Sequence, residues 1–151
     1  MEKQRTLASS ASLTGSALHT GENVTLTILP APVGHGFKFQ RIDLPDEPVV
    51  DAAAGNVKTV ERATTLVQGA VKIHTVEHVL SALTGMGVDN ALIQMDANEP
   101  PIGDGSASAY ISLIKEAGIV TQDADRRYLQ ITEPITVESN GSVLVILPDT
   151  K

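Results

Sequence analysis

His74-Thr75-Val76-Glu77-His78-Val79-Leu80-Ser81-Ala82-Leu83 is where this chain changes its hydrophobic period. Upstream, Val24-Thr25-Leu26-Thr27-Ile28-Leu29 and Phe37-Lys38-Phe39-Gln40-Arg41-Ile42 alternate every second residue, as strands with one buried face do. From Val76 the spacing becomes Val76, Val79, Leu80 and Leu83, at i, i+3, i+4 and i+7, which a helix gathers on one side. Thr75 stands where a helix cap belongs, and Gly85 or Gly87 can end the helix.

Outward from this switch, Pro30, Pro32, Gly34 and Gly36 punctuate the join between the two alternating runs, so they read as hairpin-like antiparallel strands. Leu44 to Ala54, with Pro45, Pro48 and three alanines, reads as a loop or irregular edge. Thr64-Thr65-Leu66-Val67 and Val71-Lys72-Ile73 form a further hairpin around Gln68-Gly69, which delivers the chain to His74. Asn90 to Met95 is a strand again. The turn-rich run Asn98-Glu99-Pro100-Pro101-Ile102-Gly103-Asp104-Gly105 follows, and Ser106 caps a second helix. Along it Tyr110, Leu113, Ile114 and Ala117 repeat the apolar spacing, with Gly118 at the left-handed C-terminal position. Thr121 to Arg127 is polar and charged. Beyond it Tyr128 to Glu138 and Val143 to Leu147 flank Ser139-Asn140-Gly141-Ser142, and Asn-Gly is a strong hairpin signal. The fold class is therefore α+β: a mostly antiparallel sheet layered against two helices.

Composition narrows the function. With 151 residues, 42% of them hydrophobic, and a mean hydropathy of +0.05, the chain can bury one ordinary core. Its only Phe, Tyr or Trp side chains are Tyr110, Tyr128, Phe37 and Phe39, and 18 acidic side chains outnumber 11 basic ones. Phosphate backbones are held by clustered Lys and Arg, so nucleic acid is not an expected partner. Cysteine is absent, which leaves His, Asp and Glu as metal ligands and suits a reducing cytoplasm. No run of roughly 18 apolar residues exists to span a membrane, and Met1 to Leu13 lacks a secretory apolar segment.

The reactive residues cluster at the period switch. His78 lies in the opening turn of the first helix, where the positive end of the macrodipole keeps imidazole neutral and able to bind metal. Glu77 beside it can take a proton from water polarised by such a metal, which makes zinc hydrolysis the first hypothesis. Each also has a bland explanation, since acids complement first helical turns and a lone histidine there needs only a hydrogen bond. His74-Thr75-Val76-Glu77-His78 also matches H-x-x-E-H, the inverted zincin pattern, with both histidines as ligands. Against it, Thr75 as cap puts His74 outside the helix and off the face of His78. Leu18-His19-Thr20-Gly21 offers another imidazole on a glycine-bounded loop. Asp104-Gly105-Ser106 reads as turn plus cap rather than as an anion site.

Several pieces occur together in one family. Lys3-Gln4-Arg5-Thr6-Leu7, Leu18-His19-Thr20-Gly21, Thr75-Val76-Glu77-His78, Asp89-Asn90 and Glu99-x-Pro101-Ile102-x-Asp104-Gly105-Ser106, in this order and spacing, resemble the UDP-3-O-acyl-N-acetylglucosamine deacetylases across essentially the whole chain. The resemblance implies a cytoplasmic, zinc-dependent hydrolase that removes acetate from UDP-linked acylated N-acetylglucosamine in lipid A synthesis. It also implies two similar domains, each a sheet with two helices, holding Zn2+ in the cleft between them. By that pattern residues 1–125 are the first domain and 126–151 the opening hairpin of a truncated second one. His78 becomes a zinc ligand and Glu77 the general base, while His74 falls where the family has no ligand. The family's remaining His and Asp ligands, its general acid histidine, its oxyanion-stabilising threonine and its acyl-chain passage have no counterpart before Lys151. One imidazole cannot hold catalytic zinc tightly, so the chain alone is expected to be inactive. Two other readings remain open: an inverted zincin peptidase, and a non-catalytic α+β module that associates through an uncovered apolar face.

Overall fold

Alternating apolar residues in the first part of the chain build β1 (Lys3–Leu7), β2 (Ala11–Ser16), β3 (Asn23–Pro30), β4 (Phe37–Arg41) and the short β5 (Val49–Asp51), in a computed structural model that describes residues 2–149. A 3-10 turn at Ala54–Asn56 leads to β6 (Val57–Thr59), β7 (Thr65–Gln68) and β8 (Val71–Ile73), then to the helix α1 (Glu77–Gly85). The strand β9 (Ala91–Met95), the helix α2 (Ser108–Ala117) and the strands β10 (Ile119–Asp125), β11 (Ile135–Ser139) and β12 (Ser142–Ile146) complete the order. The class is α+β, as the change of period implies.

The main sheet runs β2-β3-β9-β4-β5, antiparallel except for the parallel pair β4 and β9. The expected hairpin between the two alternating runs is therefore not formed: β9 comes between β3 and β4 and bonds to both. A period of two marks which face is buried but not which strand is the neighbour. β9 takes the centre because Ala91, Ile93 and Met95 are all fully buried on one face. One row crosses the whole sheet, from Ala11 through Ile28, Ile93 and Phe39 to Val50, and every member is buried. Val79, Ala82 and Leu83 of α1 and Tyr110, Leu113, Ile114 and Ala117 of α2 join it in one core cluster. Each large side chain so buried contributes about 1.5–3 kcal/mol, and this apolar layer fixes α1 against the sheet.

The start and the end of α1 differ from one another. At its C-terminus the Val88 amide donates to the Leu83 carbonyl and the Gly87 amide to that of Thr84, a Schellman motif that needs the positive φ of 73° at Gly87. At its N-terminus Thr75 is not the cap; Val76 takes that position, without a side-chain hydrogen bond. On α2 the cap is offset by one residue from the expectation. Ala107 is the N-cap, while Ser106 Oγ accepts from the Ser108 amide at 3.1 Å. Gly118 has positive φ but an extended ψ of 163°, so it ends α2 without the left-handed turn expected of it.

The polar stretch read at Thr121 to Arg127 is mostly strand, since β10 pairs antiparallel with β1 in a separate ribbon. Its outward residues are polar, which hides the alternation that identifies a half-buried strand. Arg126 closes the ribbon, with Nε and Nη2 on the two Asp89 oxygens at 2.8 and 2.9 Å and Nη1 on Glu2 at 2.8 Å. The final hairpin turns through Asn140 and Gly141, with φ of 50° and 78°, as a primed two-residue turn requires. Its first strand begins at Ile135, later than expected, because Pro134 has no amide to give the ladder. Both strands are exposed along their whole length, Val143, Leu144 and Val145 included. Residues 150 and 151, at the end of the 126–151 segment, lie outside the described residues.

Candidate active site at the start of α1

The chain leaves β8 at Ile73 and enters α1 through three residues. His74 is half-buried, with its amide donating to the Asn98 carbonyl at 2.8 Å and its Nδ1 2.9 Å from Thr65 Oγ1. Thr75 follows at φ 55°, a left-handed conformation in which a β-branched side chain costs about 1–3 kcal/mol. That kink directs its hydroxyl away from α1, and it donates to Glu99 Oε1 at 2.6 Å. Capping asks for extended backbone and a hydroxyl turned back to the helix amides, so the kink itself excludes the role expected of Thr75.

Glu77 and His78 are then the first two residues of α1, both half-buried. Glu77 Oε2 accepts one hydrogen bond, from the Thr64 amide at 3.0 Å, which leaves its other oxygen without a partner among the described residues. The His78 ring likewise makes no hydrogen bond within the described residues. An imidazole with both nitrogens uncommitted suits a metal ligand. His74 and His78 lie on opposite sides of the Thr75 kink, so they do not stack one turn apart as H-x-x-E-H requires. Among the described residues no group of three or more His, Cys, Asp or Glu could hold a metal ion. A catalytic zinc takes three protein ligands, so His78 fits one position of such a sphere and the remainder would have to come from elsewhere.

The most heavily bonded carboxylate is Glu99, in the turn-rich run after β9. It is fully buried, 0% exposed, and accepts from the His19 amide at 3.0 Å, the Thr20 amide at 3.1 Å, His19 Nδ1 at 2.7 Å and the Thr75 hydroxyl. Burial pushes its pKa up, but the bonds from Thr75, His19 and the two amides outweigh that and hold it at about 2. An ionised carboxylate only accepts, so Nδ1 of His19 carries the proton in this bond. Tyr110 of α2 anchors the same run by donating its hydroxyl to the Pro101 carbonyl. His19, Thr59, Glu61, Thr65, His74 and Glu99 line a groove of about 350 Å³, and neither Glu77 nor His78 belongs to its lining.

Sequence reasoning thus located Glu77 and His78 on the helix start and His19 on its loop, but it missed that Glu99 ties the His19 loop to Thr75. Its traces in the sequence are a charged residue beside two prolines, within a run that reads as exposed turn, and its place in the block shared with the family. The expected turn at Asp104 is present, with Oδ1 accepting from the Ser106 amide and hydroxyl at 2.9 and 2.7 Å.

Fold and site together define a layered α+β domain that carries a carboxylate and an uncommitted imidazole at consecutive positions of a helix start. The sequence profile described as UDP-3-O-acyl N-acetylglycosamine deacetylase matches residues 4–151. This chain belongs to that family. A UDP-3-O-acyl-N-acetylglucosamine deacetylase of Saccharophagus degradans is 47% identical over 148 residues, which are 98% of this chain and 49% of that protein. One from Legionella pneumophila (strain Corby) is 49% identical over the same shares. The bifunctional enzyme LpxC/FabZ of Porphyromonas gingivalis is 47% identical over 99% of this chain and 33% of its own length. The chain spans about half the length of most of these curated relatives.

Proposed function

We propose that this chain is the N-terminal part of a zinc-dependent deacetylase that hydrolyses the acetamide of a UDP-3-O-acyl-N-acetylglucosamine in lipid A synthesis. The observation that carries the reading is the adjacency of Glu77, with one carboxylate oxygen uncommitted, and His78, with a bare ring, on the first turn of α1. Names of relatives at 45–49% identity supply the substrate class. When bound, zinc supplies Lewis acidity and lowers the pKa of water toward 7. Glu77 takes the proton from water as it attacks the acetyl carbon, and the broken C–N bond leaves acetate and the glucosamine amine. His78 contributes one ligand. The other ligands, the general acid and the acyl-chain passage come from residues beyond this chain, for which β11 and β12 form the opening hairpin of a second domain. Residues 1–125 would then constitute the first domain and 126–151 the opening of the second.

The reaction would take place in the cytoplasm, in keeping with the cysteine-free composition; no helix of the described residues is long and apolar enough to cross a membrane. The reading as a non-catalytic association module draws on one specific feature, the exposed Val143, Leu144 and Val145 of β12. The two readings part on activity. Full-length protein is expected to bind one zinc and to release acetate from the UDP-linked substrate, and His78→Ala to weaken zinc binding at least tenfold and lose turnover with it. Full-length protein that binds zinc through residues other than His78, or that hydrolyses no acetamide, would contradict the proposal.

A further inference from the structure

We propose that Glu99 is a positioning residue of this site: its carboxylate holds the His19 ring with Nδ1 protonated and Nε2 presented to the groove, while locking the Thr75 kink from which α1 starts. The part concerning activity rests on the deacetylase reading; the part concerning the ring does not.

Three observations carry it. The first is burial, because Glu99 is completely enclosed and yet every bond it makes goes to the two loops that flank the site, residues 19–20 and Thr75. A buried charge placed for stability alone has no reason to gather its donors there. The second is the division of the His19 ring. Nδ1 is 2.7 Å from Glu99, and the side chain is 44% exposed where it lines the groove, so Nε2 is the nitrogen left for a bound ligand. A carboxylate that fixes one imidazole nitrogen sets the tautomer and orientation of the other, as it does for metal-bound and catalytic histidines. The third is the strained Thr75. Its φ of 55° persists because the hydroxyl is drawn into Glu99, and Val76 alone separates it from Glu77. One carboxylate therefore sets both the groove histidine and the direction in which Glu77 and His78 leave the sheet.

The ligand that meets Nε2 would be a hydroxyl or amide N–H of the bound sugar, since a ring fixed as the Nδ1–H tautomer offers an acceptor at Nε2.

The test uses full-length, zinc-loaded protein with ¹⁵N-labelled histidine. Ring ¹⁵N shifts assign the His19 tautomer, alongside kcat and KM for acetate release and the zinc content of each variant. Wild type is expected to show His19 as the Nδ1–H tautomer. Glu99→Gln, close in shape, is expected to populate the Nε2–H tautomer, with kcat/KM lower by 10- to 100-fold at unchanged zinc content. Thr75→Ala is expected to lower kcat, and Thr75→Ser to recover most of that loss. A wild-type ring in the Nε2–H form would overturn the proposal without recourse to any variant. So would a Glu99→Gln protein whose His19 tautomer is unchanged, whatever its activity. Wild type with no acetate release but an Nδ1–H ring would count against the deacetylase reading while leaving the role of Glu99 on His19 standing.

Discussion

The first turn of α1 and the turn-rich run after β9 each hold a glutamate near the site, and they hold it in opposite ways. Glu77 is half-buried, with a single amide donor on one oxygen, so its second oxygen remains open to a proton. Glu99 is sealed from solvent and saturated by four donors. A carboxylate that is to accept a proton during a reaction needs a free lone pair and access; one that is to hold other groups still needs neither. The base role proposed for Glu77 asks for the first arrangement, and the positioning role proposed for Glu99 asks for the second.

The largest effect that separates the two short of the chemical step is on stability in acid. Glu99 lies at about 2 in the folded chain against an ordinary value of 4.5, so its contribution is fully present above pH 4.5 and is lost as pH falls toward 2. Integrated over that window, the shift corresponds to about 3 kcal/mol. Denaturant midpoints of full-length wild type and Glu99→Gln at pH 5 and pH 3 check it. Wild type is expected to lose more stability than the variant between the two pH values, and equal losses would remove Glu99 from its assigned role. A smaller effect sharpens the contrast on the α1 side. His74 sits before the kink with its ring on Thr65, so His74→Ala is expected to change zinc affinity less than threefold. Abolished zinc binding would instead revive the two-histidine arrangement.

Both glutamates were visible as letters, yet only one was legible as a site. Glu77 is marked locally, because the switch from period two to 3.6 places it in the first turn of a helix. Glu99 acquires its burial from partners 79 and 80 positions away and from Thr75, 24 positions away, and nothing in Asn-Glu-Pro-Pro announces them. The same distinction runs through the fold. α1 and α2 follow from local spacing, and the Asn140-Gly141 turn from its dipeptide. The insertion of β9 between β3 and β4 does not, since strand partners are chosen by long-range packing that alternation cannot encode. Thr75 illustrates the reverse failure. As a β-branched hydroxyl before a helical pattern it has the sequence of a cap, but an enclosed carboxylate offers its hydroxyl a stronger, charge-assisted partner.

Acetate release by full-length Glu77→Gln, with zinc quantified in the same sample, tests most directly the assignment of proton transfer to the first turn of α1. With zinc retained at the wild-type level, kcat is expected to fall by about 10²- to 10⁴-fold, the range removed with a general base. A variant that keeps its zinc and turns over within about threefold of wild type would contradict it.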